Sequence, residues 1–307
     1  MSHNLQSQNT VMTAARQTMA AWSKLIESRE EIPAVYKTHF DKTFQGGGPF
    51  PLVIWTPALD RFPRKTTEKL ICDTDDALYV FEKNGGQVDL TCYAYREVFS
   101  LEMGIILLES WLIIRGKTDK GQPTVSTIEI NTTSKRYFEP ILNKLRPAFE
   151  SMDKLQFAAE KEKFNRLSTV DFKFMNYGRE SLVPGETVVR FLLQSEIRQP
   201  LFTIFGKTFD KTLAFAHIAI LTDQELILIE DAGSGRESRA KSYGGIWQYI
   251  PLRTIDSVSL SEITNGRVTL SIQCRPERRL PILFDASNLP ELEQFRTDLQ
   301  AWIGRSR

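Results

Sequence analysis

Four cations fall within nine residues of one another: Arg61, Arg64, Lys65 and Lys69. Cations converging on one point are what a phosphate or a lipid headgroup requires, because guanidinium and ammonium groups hold its oxygens by charge-assisted hydrogen bonds. Asp60 and Glu68 sit among them and dilute the charge, so a solvated loop is the competing reading. A second stretch offers apolar side chains instead. Leu201, Phe202, Ile204 and Phe205 stand in a segment, residues 197 to 210, that reads as a long loop. Arg198, Lys207 and Lys211 surround it more sparsely. Apolar side chains exposed as a patch signal contact, whether with the rest of the chain, a partner or a bilayer. Arg275, Arg278 and Arg279, with Arg267 nearby, read as a charged turn at a hairpin tip. Nucleic acid would call for interleaved aromatics on an open sheet, and none stand there, so no nucleic-acid partner is expected.

Catalytic chemistry has little to work with. His3, His39 and His217 have no evident partners, and His217, inside an apolar strand, reads as structural. No nucleophile-elbow, metalloprotease or phosphate-loop pattern occurs. Asp73, Asp75 and Asp76 are close together, but an EF-hand needs a glycine and a distal glutamate at fixed spacing, so they read as turn formers. Gly46, Gly47 and Gly48 precede two prolines and a strand. A phosphate cradle needs a helix opening there, so the run reads as a linker. No catalytic residue, metal ligand or cofactor is expected.

The bulk properties fit a folded two-domain protein. The 307 residues are 41% hydrophobic, with a formal net charge of +1. That is enough apolar content for real cores, and the charge gives no general pull towards nucleic acid. Cys72, Cys92 and Cys274 are far apart and odd in number, which fits reduced thiols in a reducing compartment. The polar N-terminus lacks a signal-like apolar core. No run approaches the ~18 apolar residues of a membrane span. The expected location is the cytoplasm, free or peripheral at the membrane.

The elements follow from periodicity. Residues 10 to 28 read as a helix on Val11, Ala15, Thr18, Trp22 and Leu25, ended by Pro33. Residues 33 to 48 read as irregular. Leu52–Trp55, Lys69–Cys72 and Leu78–Phe81 read as strands, the last two as a hairpin. Further strands are expected over 89 to 102, 105 to 114 and 124 to 131. A helix carrying Phe138, Ile141, Leu145 and Phe149 closes this set, with Pro140 in its first turn. A charged connecting helix runs from Ser151 to Leu167. The series then starts again: Thr187–Leu193, Leu213–Leu221, Leu226–Ile229, Tyr249–Leu260, Val268–Ile272 and Leu280–Phe284 as strands. A helix with Leu292, Phe295, Leu299 and Trp302 ends it, with Asn288 as its cap and Pro290 early.

The two series are in register. Tyr95-Arg96-x-Val98-x-Ser100-Leu101 lies over Leu252-Arg253-x-Ile255-x-Ser257-Val258. Each copy has about seven short antiparallel strands followed by one amphipathic helix. That order resembles the pleckstrin-homology (PH-like) barrel, in its bacterial PH and GRAM-like branch. Leu226–Ile229, the segment Tyr249–Leu260 and the final helix carry the likeness best. The resemblance implies a mainly β, α+β chain of two PH-like barrels, each closed by a C-terminal helix, with an N-terminal helix and a helical connector. The boundaries are 1–49 for the N-terminal helix and linker, 50–150 for the first domain, 151–177 for the connector and 178–307 for the second domain. It also implies non-enzymatic modules that bind headgroups, peptides or proteins, with a headgroup held by basic residues of the first strands, here Arg61, Arg64, Lys65 and Lys69.

The leading expectation is therefore a non-enzymatic interaction or scaffolding module with a protein partner or a second copy of itself. A peripheral adaptor for anionic phospholipid is the alternative. A small-ligand or enzymatic cleft between the domains is the third reading.

Overall fold

The computed structural model describes residues 22–45, 50–58, 60–61, 64–106, 109–146, 152–205, 207–232 and 244–306. Side chains of residues 59–65, 203–204 and 206–207 are outside the description. The helix expected over 10 to 28 lies mostly outside it. Its described end is extended: β1 (Lys24–Ile26) pairs antiparallel with β2 (Leu52–Thr56). Ile26 is buried, while Trp22 and Leu25 of the expected stripe are exposed and half-buried, so this end reaches the core as a strand and not through that stripe.

Residues expected to be irregular form α1 (Ala34–Thr43), entered from Pro33. Tyr36 and Phe40, four residues apart, bury its one apolar face. They pack with Ile32, Val53, Leu70 and Phe81 on one face of the first sheet. That sheet runs β1-β2-β5-β6-β7, with β5 (Lys69–Asp73), β6 (Ala77–Asn84) and β7 (Gln87–Ala94). A small two-stranded hairpin, β3 (Asp60–Arg61) with β4 (Arg64–Lys65), stands between β2 and β5 in the chain. After β7 a 3-10 turn, Tyr95–Glu97, leads into β8 (Val98–Ile106), β9 (Glu109–Lys117) and β10 (Pro123–Asn131). Then comes α2 (Lys135–Leu145), which buries Phe138, Ile141, Leu142 and Leu145. Pro140 stands in its interior, past the first turn. The missing hydrogen bond there is outweighed by the apolar face on either side. The helix stops before Pro147.

The connector is two helices. Asp153 caps α3 (Lys154–Glu162) and Asp171 caps α4 (Phe172–Ser181), each accepting from a backbone N–H of the first turn. A 3-10 segment, Lys163–Leu167, precedes α4 and buries Phe164. The element series then repeats: β11 (Val188–Gln194), a hairpin β12 (Ile197–Ile204) with β13 (Lys207–Ala214), β14 (His217–Thr222), β15 (Glu225–Asp231) and β16 (Gly244–Pro251). A 3-10 turn, Leu252–Thr254, leads into β17 (Ile255–Leu260), β18 (Arg267–Cys274) and β19 (Arg278–Asp285), and α5 (Leu289–Arg305) closes the series. The two 3-10 turns fall where the sequence register places Tyr95 over Leu252.

The expected pair of closed PH-like barrels is not what the strands build. They form separate open sheets, and no closed barrel exists among the described residues. The reason is one strand edge. β8 of the first repeat pairs antiparallel with β16 of the second, from Gly244↔Ile106 to Tyr249↔Leu101. One seven-stranded sheet, β10-β9-β8-β16-β15-β14-β11, therefore crosses from repeat to repeat. Its core is shared as well: Leu101, Met103, Leu112 and Phe138 pack in the same cluster as Phe191, Ile218, Ile227 and Trp247. α4 lies on this sheet, with the Tyr177 ring 4.7 Å from that of Trp247. A second core holds Leu270, Phe284, Leu292, Phe295 and Leu299 under α5. The mainly β reading holds.

Candidate functional sites

The apolar stretch of residues 201 to 205 is no loop. It forms the distal part of β12–β13, a two-stranded sheet separate from the others. Phe202 faces Phe209 across the strands, with ring centroids 4.9 Å apart. A cross-strand aromatic pair of this kind holds a hairpin together. Leu201, Phe202 and Phe209 are about half exposed or more, and Phe205, at the tip with a positive φ of 49°, is fully exposed. Ile204 continues the strand opposite Lys207. At the base Arg198 pairs with Glu196 at 2.5 Å, and the Thr212 hydroxyl donates to the same carboxylate at 2.7 Å. A short sheet with no core face was missed because its strands show no inward-facing period. A glycine at position 206 between two β-prone runs was the available signal in the sequence.

The four expected headgroup cations do not behave as one group. Arg61 and Arg64 pair across the short β3–β4 hairpin, and Lys65 lies opposite Asp60. Lys69 is elsewhere. It is buried, 3.3 Å from Glu82 and 3.8 Å from Glu129. Its ammonium is committed between the two sheets: β5 is buried along its whole length, and Lys69 pairs in register with Thr56 and Glu82.

A charged cluster lies in the interior between the repeats. Arg146, at the end of α2, donates Nε to Glu225 Oε1 at 2.8 Å and Nη2 to Glu186 Oε2 at 3.2 Å. The Tyr249 ring lies 4.0 Å from the guanidinium carbon. Both glutamates are fully buried and Arg146 is nearly so. The Val183 N–H donates to Glu186 Oε2 at 2.8 Å. Burial and the neighbouring Glu225 charge push the Glu186 carboxyl well above the ordinary carboxylate range, Arg146 only partly opposing them. Burial works against the Arg146 charge, but Glu225 and Glu186 outweigh it and hold the group protonated. Pairing the guanidinium with both carboxyl groups is what lets these groups stand in a dry interior. Its geometry is that of a clamp, with a cavity of about 220 Å³ lined by Arg146, Val183 and Tyr249 beside it.

The arginine-rich turn expected to be merely charged is folded against the first repeat. Arg278 donates Nη1 to Ser100 Oγ at 3.1 Å and Nη2 to Gln248 Oε1 at 2.8 Å. Next to it Arg253 Nη2 donates to the Val98 carbonyl at 3.3 Å and the Thr254 hydroxyl to the Phe99 carbonyl at 3.1 Å. Only the tertiary fold brings residues this distant together, so spacing gave no sign of it.

His217 is buried, with Nδ1 2.9 Å from the Phe215 carbonyl and its ring against Phe284. Among the described residues its Nε2 has no hydrogen-bond partner. The three cysteines are free thiols. Among the described residues no three His, Cys, Asp or Glu side chains gather as a metal site would need, and no helix is long and apolar enough to cross a membrane.

No family model matches the chain, and no curated protein matches it. The pleckstrin-homology resemblance rests on the residues quoted for it alone.

Proposed function

We propose that the chain is a non-enzymatic interaction module that grips a protein partner through the β12–β13 hairpin. One observation carries this: an aromatic hairpin projects as its own two-stranded sheet, with Phe205 bare at the tip and the outer edges of both strands unpaired among the described residues. Open edges offer backbone donors and acceptors that a protein can extend by strand addition. Hydrocarbon cannot satisfy them, which favours protein over deep membrane insertion. The partner is another protein or a second copy of this chain.

Shallow contact with anionic lipid is the second reading. It is favoured by apolar side chains reaching the tip above Arg198 and Lys211, an arrangement suited to an interfacial anchor.

A photo-crosslinking phenylalanine analogue in place of Phe205 separates the two. Activated in the presence of anionic vesicles and the protein's source extract, it should yield peptide adducts that Phe202→Ser abolishes. Adducts on lipid alone would transfer the assignment to the second reading.

A further inference from the structure

The cleft where the β18–β19 tip meets the first repeat gathers more cations than anions: Arg115 and Arg275 each meet one carboxylate, and Arg278 meets none among the described residues. It encloses about 520 Å³, within the range of small-molecule sites. Arg115 comes from β9, Arg275 and Arg278 from the tip, and Phe99, Pro123 and Val125 supply an apolar wall. Arg115 gives Nη2 to Glu102 Oε2 at 3.1 Å, while its Nη1 is buried with no hydrogen-bond partner. Arg278 meets two neutral oxygens, those of Ser100 and Gln248. Arg275 is held at the rim by Asp256, Nε to Oδ1 2.9 Å. Lys117, on the same face of β9 as Arg115, carries its ammonium 5.7 Å from the centre of the Phe99 ring.

Two guanidinium groups close together in a half-buried cleft repel each other unless an anion lies between them. Burial already depresses the Arg278 pKa, and Arg115 depresses it further, against Cys274 and Glu102. A single oxyanion between the two groups would relieve the repulsion.

We infer that this cleft binds a small phosphorylated compound, its phosphate gripped between Arg115 and Arg278 and its organic part lying on Phe99, Pro123 and Val125. Phosphate suits the site better than carboxylate. The donors approach from separate strands, and several oxygens with more than one charge can answer them together with Lys117. Since Arg115 belongs to one repeat and Arg278 to the other, the ligand bridges the two. The site is independent of the hairpin contact proposed above and stands or falls separately.

The test titrates the full chain at low salt with inorganic phosphate and with inositol trisphosphate, and sediments it with vesicles containing phosphatidylinositol bisphosphate. Wild type is compared with Arg115→Gln, Arg278→Gln and Val125→Glu. Val125 is exposed, so glutamate there leaves the fold intact and sets a carboxylate against the incoming anion. The expected result is saturable binding of a phosphate probe by the wild type, weakened about ten-fold or more in all three variants. Binding of the soluble probes without vesicles marks a free metabolite, and vesicle binding marks a lipid headgroup; either supports the phosphate chemistry. Should Arg278→Gln fail to fold by circular dichroism, Val125→Glu decides. The inference is overturned if the wild type binds none of the three probes, or if Val125→Glu binds as tightly as wild type.

Discussion

Arg146 and Glu225 stand 79 residues apart and meet in the interior, Arg146 Nε donating to Glu225 Oε1 at 2.8 Å. One residue ends the helix of the first repeat and the other opens β15 of the second. The bond therefore fastens the halves at a point where water cannot substitute for either partner.

Removing one member leaves a bare buried charge. Arg146→Met should cost about 3–5 kcal/mol and lower the melting temperature by many degrees. The triple variant Arg146→Met, Glu186→Gln, Glu225→Gln should recover much of the loss, because neutral amides need no counter-ion. Calorimetric melting of the two variants checks this. Equal destabilisation in both would show that packing of the guanidinium on Tyr249, not charge, is what matters.

The same cluster imposes a pH dependence. Burial first, then Glu225, raises the Glu186 pKa in the folded chain. The folded protein thus keeps a proton that the unfolded chain releases. That contribution to stability is fully present below the ordinary glutamate value of about 4.3 and is lost as pH rises through the folded value. Glu230, raised by burial, Asp231 and Glu102, acts in the same sense. His217 acts oppositely. Burial lowers its pKa, so its contribution is present above the ordinary value of about 6.5 and is lost as pH falls through the folded value. Urea midpoints measured from about pH 4 to about pH 9 should fall at both ends. Glu186→Gln should flatten the alkaline side alone and His217→Gln the acid side alone. A Glu186→Gln profile parallel to wild type would refute the assignment.

Gly244 guards the seam between the repeats. Its φ is +141°, and a Cβ there would overlap the Ile105 carbonyl on β8. Gly244→Ala should therefore cost at least the ~1–3 kcal/mol of an overpacked or strained site. The seam amides of Met103 to Ile105 should exchange with deuterium faster. Gly121→Ala is the control: its φ is also positive, at +76°, but nothing lies within 4 Å of the added atom. If both variants exchange alike, the seam does not depend on the close approach.

Much of the architecture was legible because it is local. The apolar run Ile105–Ile114, read as strand from its β-branched and aromatic content, falls on β8 and β9, the run Val268–Ile272 falls on β18, and the stripe of Leu292, Phe295 and Leu299 marks α5. The α1 helix was hidden because only Tyr36 and Phe40 carry its apolar face. The joining of the two repeats in one open sheet was hidden for a deeper reason. Period-2 patterning tells which face of β8 is buried, but both of its edges look alike, and nothing local says that one waits for β16. The site residues divide the same way. Leu201, Phe202 and Phe205 stood out because apolar side chains in a polar setting are visible in sequence. Lys69 was misjudged and Arg278 passed over because burial and cross-chain partners are products of the fold.

The β8–β16 seam also orders events as the chain is made. The first repeat leaves the ribosome with the edge of β8, bearing Leu101 and Met103, uncovered. Its mate in the sheet emerges only when Gly244–Pro251 has been translated. Until then that edge is an open template for the wrong strand, including one from a neighbouring nascent chain. A nascent polypeptide of this protein should therefore need chaperone cover over the interval between the two strands. Expressing residues 50–150 alone would make that temporary vulnerability permanent.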